Sequence, residues 1–128
     1  MPGQYTLGKK ERLKRRKIIE QLFSEGRAIH VPPLRAVYKF YTGTLDSPLQ
    51  TGFTAGSRQF KKSIHRNRIR RLLREAWRLQ KNDLKEKLLA EQKQLAVFIV
   101  FTGKEMPSFE KIKDQMAVLL NKLTKAVS

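Results

Sequence analysis

Leu95-Ala96-Val97-Phe98-Ile99-Val100-Phe101 is an unbroken apolar run, β-branched or aromatic at most positions. Such a run reads as a strand buried on both faces at the centre of a sheet. It is far short of the ~20 residues that cross a membrane as a helix. Outward from it on the C-terminal side, Thr102 to Pro107 turns, Ser108 is an N-cap and Glu110 sits in a first helical turn. Ile112, Met116, Leu119, Leu120 and Leu123 then mark the apolar face of a last helix. On the N-terminal side lies a long helix from about Ser63, its candidate N-cap, to at least Gln80, which continues or breaks near Asn82-Asp83.

Further upstream, Thr51 to Ser57 is a small-residue strand in which Gly52 and Gly56 permit close backbone approach. Leu34 to Tyr41 alternates as a half-buried strand, with Leu34, Ala36, Tyr38 and Phe40 or Tyr41 against Arg35, Val37 and Lys39. Gly43, Asp46, Ser47 and Pro48 make Thr42 to Gln50 a hairpin loop between these two strands. Pro32-Pro33 punctuates the chain after a short extended piece around Ala28–Val31. From Lys10 to Glu25 the pattern is helical, with Leu13, Ile18, Ile19, Leu22 and Phe23 on one face and Gly26 as its stop. Residues 1–9 read as a flexible segment and 10–128 as one α+β domain, a sandwich of order α-β-β-(β)-α-β-α.

Zero cysteines among 128 residues exclude disulfides, thiolate zinc sites and thiol catalysis. No apolar signal region opens the chain, so a cytoplasmic location is expected, with no membrane partner. The net charge of +17 is concentrated in two blocks, residues 1–17 and 58–81, which together hold +15 of it. Solvated surfaces ordinarily mix signs, and these blocks scarcely do, so a polyanionic partner is expected.

The second block is mostly helix. Stepped at 100° per residue, Ile69, Leu72, Leu73, Ala76 and Trp77 fall within an arc of about 140° that faces a sheet. Arg70, Arg74, Asn67, Arg78 and Arg71 lie opposite, with Glu75 and Arg68 at the far edge. Arg66, Arg68, Arg70 and Arg71 crowd the early turns, where the helix dipole disfavours bases, and an anion arriving there relieves that cost. Arginine rather than lysine favours forked contact with phosphate, while His65 and Asn67 add groups suited to sugars and base edges.

Arg66-Asn67-Arg68-Ile69-Arg70-Arg71-Leu72-Leu73-Arg74-Glu75-Ala76-Trp77-Arg78 resembles the signature helix of the bacterial ribonuclease P protein family. Lys10-Glu11-Arg12-Leu13-Lys14 through Leu22-Phe23 and Gly26 is similar to that family's opening helix, and Gly52-Phe53-Thr54-Ala55-Gly56-Ser57-Arg58 to the strand before its signature. The resemblance implies a left-handed β-α-β crossover through the signature helix. It also implies a protein cofactor of a catalytic RNA, which with Mg²⁺ at the RNA active site removes the 5′ leader of precursor tRNA as an endoribonuclease. Catalytic-RNA contacts carry over to Arg66, Asn67, Arg68, Arg70, Arg71 and Arg74; Arg58, Lys61 and Lys62, which keep positive charge before the signature, and His65 complete the expected RNA-binding set. A cleft between opening helix and sheet, taking the leader, carries over to Phe23, with Tyr38 or Phe40 as a second stacking platform. Two departures stand out. Ile19 occupies the other aromatic position on the first helix, and Lys61 stands where many members have glycine.

Two histidines (His30 and His65) and scattered acids form no catalytic set or metal cluster in the sequence, so no catalytic residue and no protein-bound metal are expected. No obligate protein partner is evident either. The alternative is an RNA-binding protein of the ribosomal or chaperone type. A DNA reader with the arginine helix in a major groove would need a helix-turn-helix partner, and the element before Ser63 is a strand.

Overall fold

The computed structural model describes residues 9–56 and 60–127. After a short 3-10 turn at Lys9–Glu11 come α1 (Arg16–Glu25), β1 (Arg27–Val31), β2 (Leu34–Tyr41), β3 (Leu49–Ala55), α2 (Ser63–Gln80), α3 (Asn82–Ala90), β4 (Gln94–Phe101) and α4 (Phe109–Val127). This is the expected mixed α/β single domain. The flexible segment expected over residues 1–9 lies outside the described residues, apart from Lys9.

The four strands lie in the order β1-β2-β4-β3. β4 pairs antiparallel with β2 and parallel with β3, and so is central, as its apolar run requires. This corrects the reading of Thr42–Gln50 as a hairpin loop. β2 and β3 are not neighbours, because β4 inserts between them, and β3 already begins at Leu49. The Gln94 side-chain amide secures the connection: it donates to Leu45 O at 2.9 Å and accepts from the Thr44 and Leu45 N–H groups, each at 2.9 Å. β3 returns to β4 through α2 and α3, a crossover between parallel neighbours.

One face of the sheet carries α2, α3 and α4. Leu34, Ala36 and Tyr38 of β2 and Leu95, Val97, Ile99 and Phe101 of β4 pack there against Ile69, Leu73, Ala76, Trp77, Leu84, Leu88 and the whole predicted stripe of α4. Ser108 caps α4 as expected, its Oγ accepting from Lys111 N–H at 3.2 Å. On the other face, among the described residues, α1 is the one helix that covers Val37 and Ala96, through Ile18 and Leu22, with Leu13 and Leu45 at the margin. β2 alternates as expected, Leu34, Ala36 and Tyr38 lying in the main core; on the α1 side Val37 is buried as well, while Arg35 stays exposed and Lys39 and Tyr41 are half-buried.

The caps differ from expectation. α1 begins at Arg16, six residues after Lys10, because Leu13 N–H donates to Thr51 O at 3.0 Å and the preceding residues lie along the edge of β3. Gly26 ends α1 in extended backbone (φ −72°) rather than a left-handed turn, and glycine is needed for space: a Cβ there would stand 2.4 Å from Leu22 O. Ser63 is the first helical residue of α2 and Lys62 its N-cap, with no side-chain cap bond. At the junction of α2 and α3, Lys81 is buried (1% exposed) against Glu11, which also reaches Lys85 at 3.5 Å.

Candidate nucleic-acid interface

The sequence of α2 divides cleanly in space. Ile69, Leu73, Ala76 and Trp77 are buried, whereas Arg68, Arg70, Arg71 and Arg74 are all exposed. The apolar face anchors the helix on the sheet, and the arginines share one solvent surface because they occupy the remaining arc. Lys61, Lys62 and His65 are exposed at its start. Arg58 lies outside the described residues.

Several polar side chains of α2 are already engaged. Arg66 is half-buried, and its Nη1 donates to Phe60 O at 2.7 Å and Lys61 O at 2.8 Å, holding the segment that enters α2. Arg70 Nη1 donates to Asn67 Oδ1 at 3.0 Å, which orients the guanidinium across the helix surface. Glu75, the lone acid of this block, pairs with Arg78 one turn on, with Nε to Oε2 at 3.0 Å. The hydrogen bond from Arg78 holds the Glu75 carboxyl below its ordinary range, so it stays anionic and offsets part of the local repulsion. Between α2 and edge strand β3 a groove of about 370 Å³ is lined by Phe53, Asn67, Arg70, Arg71 and Arg74.

The other face of the sheet presents a thinly covered aromatic patch. Phe23, on α1, is 51% exposed and meets Phe98 edge to face at 5.4 Å. Phe23 is thus no core residue, and Ile19 beside it is half-buried. The expected partners Tyr38 and Phe40 are a correction. Tyr38 is 8% exposed, and both side chains pack into the core beneath α2 and α4, on the opposite side of the sheet from Phe23. Strand alternation forces this, since Val37, Lys39 and Tyr41 are on the side of β2 that faces α1, Lys39 reaching Glu25 at 3.5 Å. The aromatic residues that the strands present on the α1 side are Phe98 and Tyr41, Tyr41 donating to Gln21 Oε1 at 2.7 Å. Burial raises the Tyr41 phenol above its usual range, with Lys39 opposing, so it remains a neutral donor.

Phe98 escaped the sequence reading because a run buried on both faces does not say which side chains a single short helix leaves bare. Gly52 was the available signal. It pairs in register with Phe98, and a Cβ there would stand 2.6 Å from the Phe98 ring, so the close approach that glycine permits is that of a ring rather than a backbone. In the next register row His30, Arg35, Val100 and Thr54 stand side by side, extending the patch towards β1 with two polar side chains and a cation.

Among the described residues no three His, Cys, Asp or Glu side chains gather into a metal site, and no helix is long and apolar enough to cross a membrane. Fold and surface together define a small basic α/β sandwich with an arginine-faced crossover helix and an aromatic patch behind it. The family model for ribonuclease P matches residues 7–124, and the chain belongs to the ribonuclease P protein family. A ribonuclease P protein component of Porphyromonas gingivalis is 32% identical over 115 residues, spanning 90% of this chain and 84% of the relative. One of Geotalea uraniireducens is 31% identical, spanning 95% and 98%. The solved Staphylococcus aureus RNase P protein superposes with a TM-score of 0.67 at 13% identity, over 92% of this chain and 98% of that one, a likeness of fold. Membership implies a role in 5′ processing of tRNA alongside an RNA subunit.

Proposed function

We propose that the exposed arginine face of α2 lies against the catalytic RNA of ribonuclease P, and that the patch between α1 and the sheet receives the single-stranded 5′ leader of precursor tRNA. The observation that carries this reading is the division of α2. Its apolar arc is sunk in the core while Arg68, Arg70, Arg71 and Arg74 emerge together, a surface that no intramolecular acid other than Glu75 tempers along the helix. Arg66 acts chiefly by shaping the approach to α2, and Lys61, Lys62 and His65 extend the surface at the start of the helix; Arg58 is assigned to the same RNA by the family resemblance alone. In the patch, Phe23 and Phe98 stack leader bases with little regard to sequence, Ile19 supplies apolar contact, and Arg35 lies within reach of the backbone.

The chain contributes binding and orientation, and hydrolysis belongs to the RNA with its Mg²⁺, in the cytoplasm. No group of this protein attacks the phosphodiester. On the same reading the crossover through α2 is left-handed, against the usual connection. Adding the protein to its cognate ribonuclease P RNA at low Mg²⁺ is expected to restore cleavage of precursor tRNA, with RNA-free protein inert. Cleavage by rigorously RNA-free protein, or no stimulation of the RNA, overturns the reading. A ribosomal or chaperone protein would give the second result.

A further inference from the structure

The groove between β3 and α2 contains something that a purely electrostatic RNA surface does not require. Three arginines and an asparagine would suffice to follow a phosphate backbone. Yet the groove also presents the ring of Phe53, half-buried and set at the edge of the sheet. Only the first part of that edge is covered among the described residues: Arg12 bridges to Thr51 and Leu13 bonds to Thr51 O, and the pairing goes no further towards Phe53. The ring is also held in place. It meets Trp77 at 6.3 Å and an interplanar angle of 73°, and Trp77 is wholly buried. On the helix side, Arg70 follows Trp77 around the surface and is steered by Asn67 at 3.0 Å.

We propose that this groove holds one unpaired nucleotide of the RNA partner, its base stacked on Phe53 and its phosphate among Arg70, Arg71 and Arg74. The inference rests on the reading of α2 as the RNA-facing helix and adds a defined stacking position to it. A fixed aromatic ring favours a base because stacking then orders few side-chain rotors. The arginine forks around it suit a phosphate. Phe53 thus reads an unstacked position in the RNA, which a regular duplex does not offer.

Stacking and charge separate experimentally. Titration of the protein with its cognate ribonuclease P RNA across a salt series gives both an affinity and a slope. Phe53→Leu keeps apolar bulk against Trp77 and removes the ring; it should bind about tenfold more weakly, with an unchanged salt slope. Phe53→Tyr should bind as the parent does. Arg70→Ala and Arg74→Ala should each shallow the slope by roughly 0.7–0.9. If Phe53→Leu lowers the melting temperature, Phe53→Met replaces it as a flexible side chain of similar bulk. Ringless variants that bind like the parent while the arginine variants weaken overturn the nucleotide site and leave a phosphate surface. Arginine variants that also bind like the parent overturn instead the placement of RNA on α2.

Discussion

Beneath α2, α3 and α4 the sheet buries Trp77, Leu73, Ile99, Phe101 and the stripe of α4 in one continuous core; beneath α1 it buries Val37 and Ala96 and leaves Phe98 partly open under Phe23. Both faces belong to the same two central strands, whose residues alternate between them. The difference is how much helix covers each. Three helices exclude water from one face, so that face supplies most of the stability, and its helix α2 is free to spend its outer surface on arginines. A single ten-residue helix cannot cover the other face, and the aromatic side chains it leaves accessible form a second surface. On the proposed reading each side carries a recognition surface, the arginines outside α2 on one and the uncovered aromatic rings on the other, while most of the buried core lies on the thick side alone.

The sharpest way to break this comparison is to remove the largest side chain of the thick face. Trp77→Ala should cost about 4 kcal/mol and weaken every RNA alike, which thermal unfolding and RNA titration together would show. The equivalent deletion on the thin face, Leu22→Ala, should cost less, about 2.5 kcal/mol, because the cavity borders a thin layer that can collapse onto it. Equal losses at the two sites would remove the asymmetry.

Much of this arrangement was legible in the sequence. Leu95–Phe101 identified the central strand because only a strand covered on both faces dispenses with polar alternation, and the two arcs of α2 followed from 100° spacing. The insertion of β4 between β2 and β3 was not legible, since a loop of turn residues reads as a hairpin whether or not its strands pair. Nor was the burial of Lys81, whose partner Glu11 lies in a segment that pattern alone assigned to a continuous first helix. The patch was half legible. Helical spacing places Phe23 with Ile19, but alternation in Leu34–Tyr41 does not say which of its faces α1 covers, and the side that α1 covers carries Tyr41 and Phe98 rather than Tyr38 and Phe40.

The smallest effect is expected on the outside of the thick face, where the charges are solvated. Arg78 holds the Glu75 carboxyl below its ordinary range, so the stability this pair adds is full above the unfolded value of about 4.3 and is lost as the pH falls through the depressed folded value. The pair is substantially solvated, and Glu75→Gln should therefore cost at most about 0.5 kcal/mol at neutral pH. The difference from the parent should vanish in acid, as thermal melts across a pH series would record.

The most direct test of the thin face's role is the ratio of affinities of the reconstituted holoenzyme for precursor and mature tRNA. Phe23 is half-exposed, so Phe23→Ala should leave the melting temperature nearly unchanged while lowering the affinity for precursor about tenfold. Mature tRNA, which has no leader to stack, should bind as before. In Trp77→Ala the ratio should hold while stability falls. A ratio unchanged in Phe23→Ala, or equally reduced in Trp77→Ala, would contradict the assignment of the leader to the thin face of the sheet.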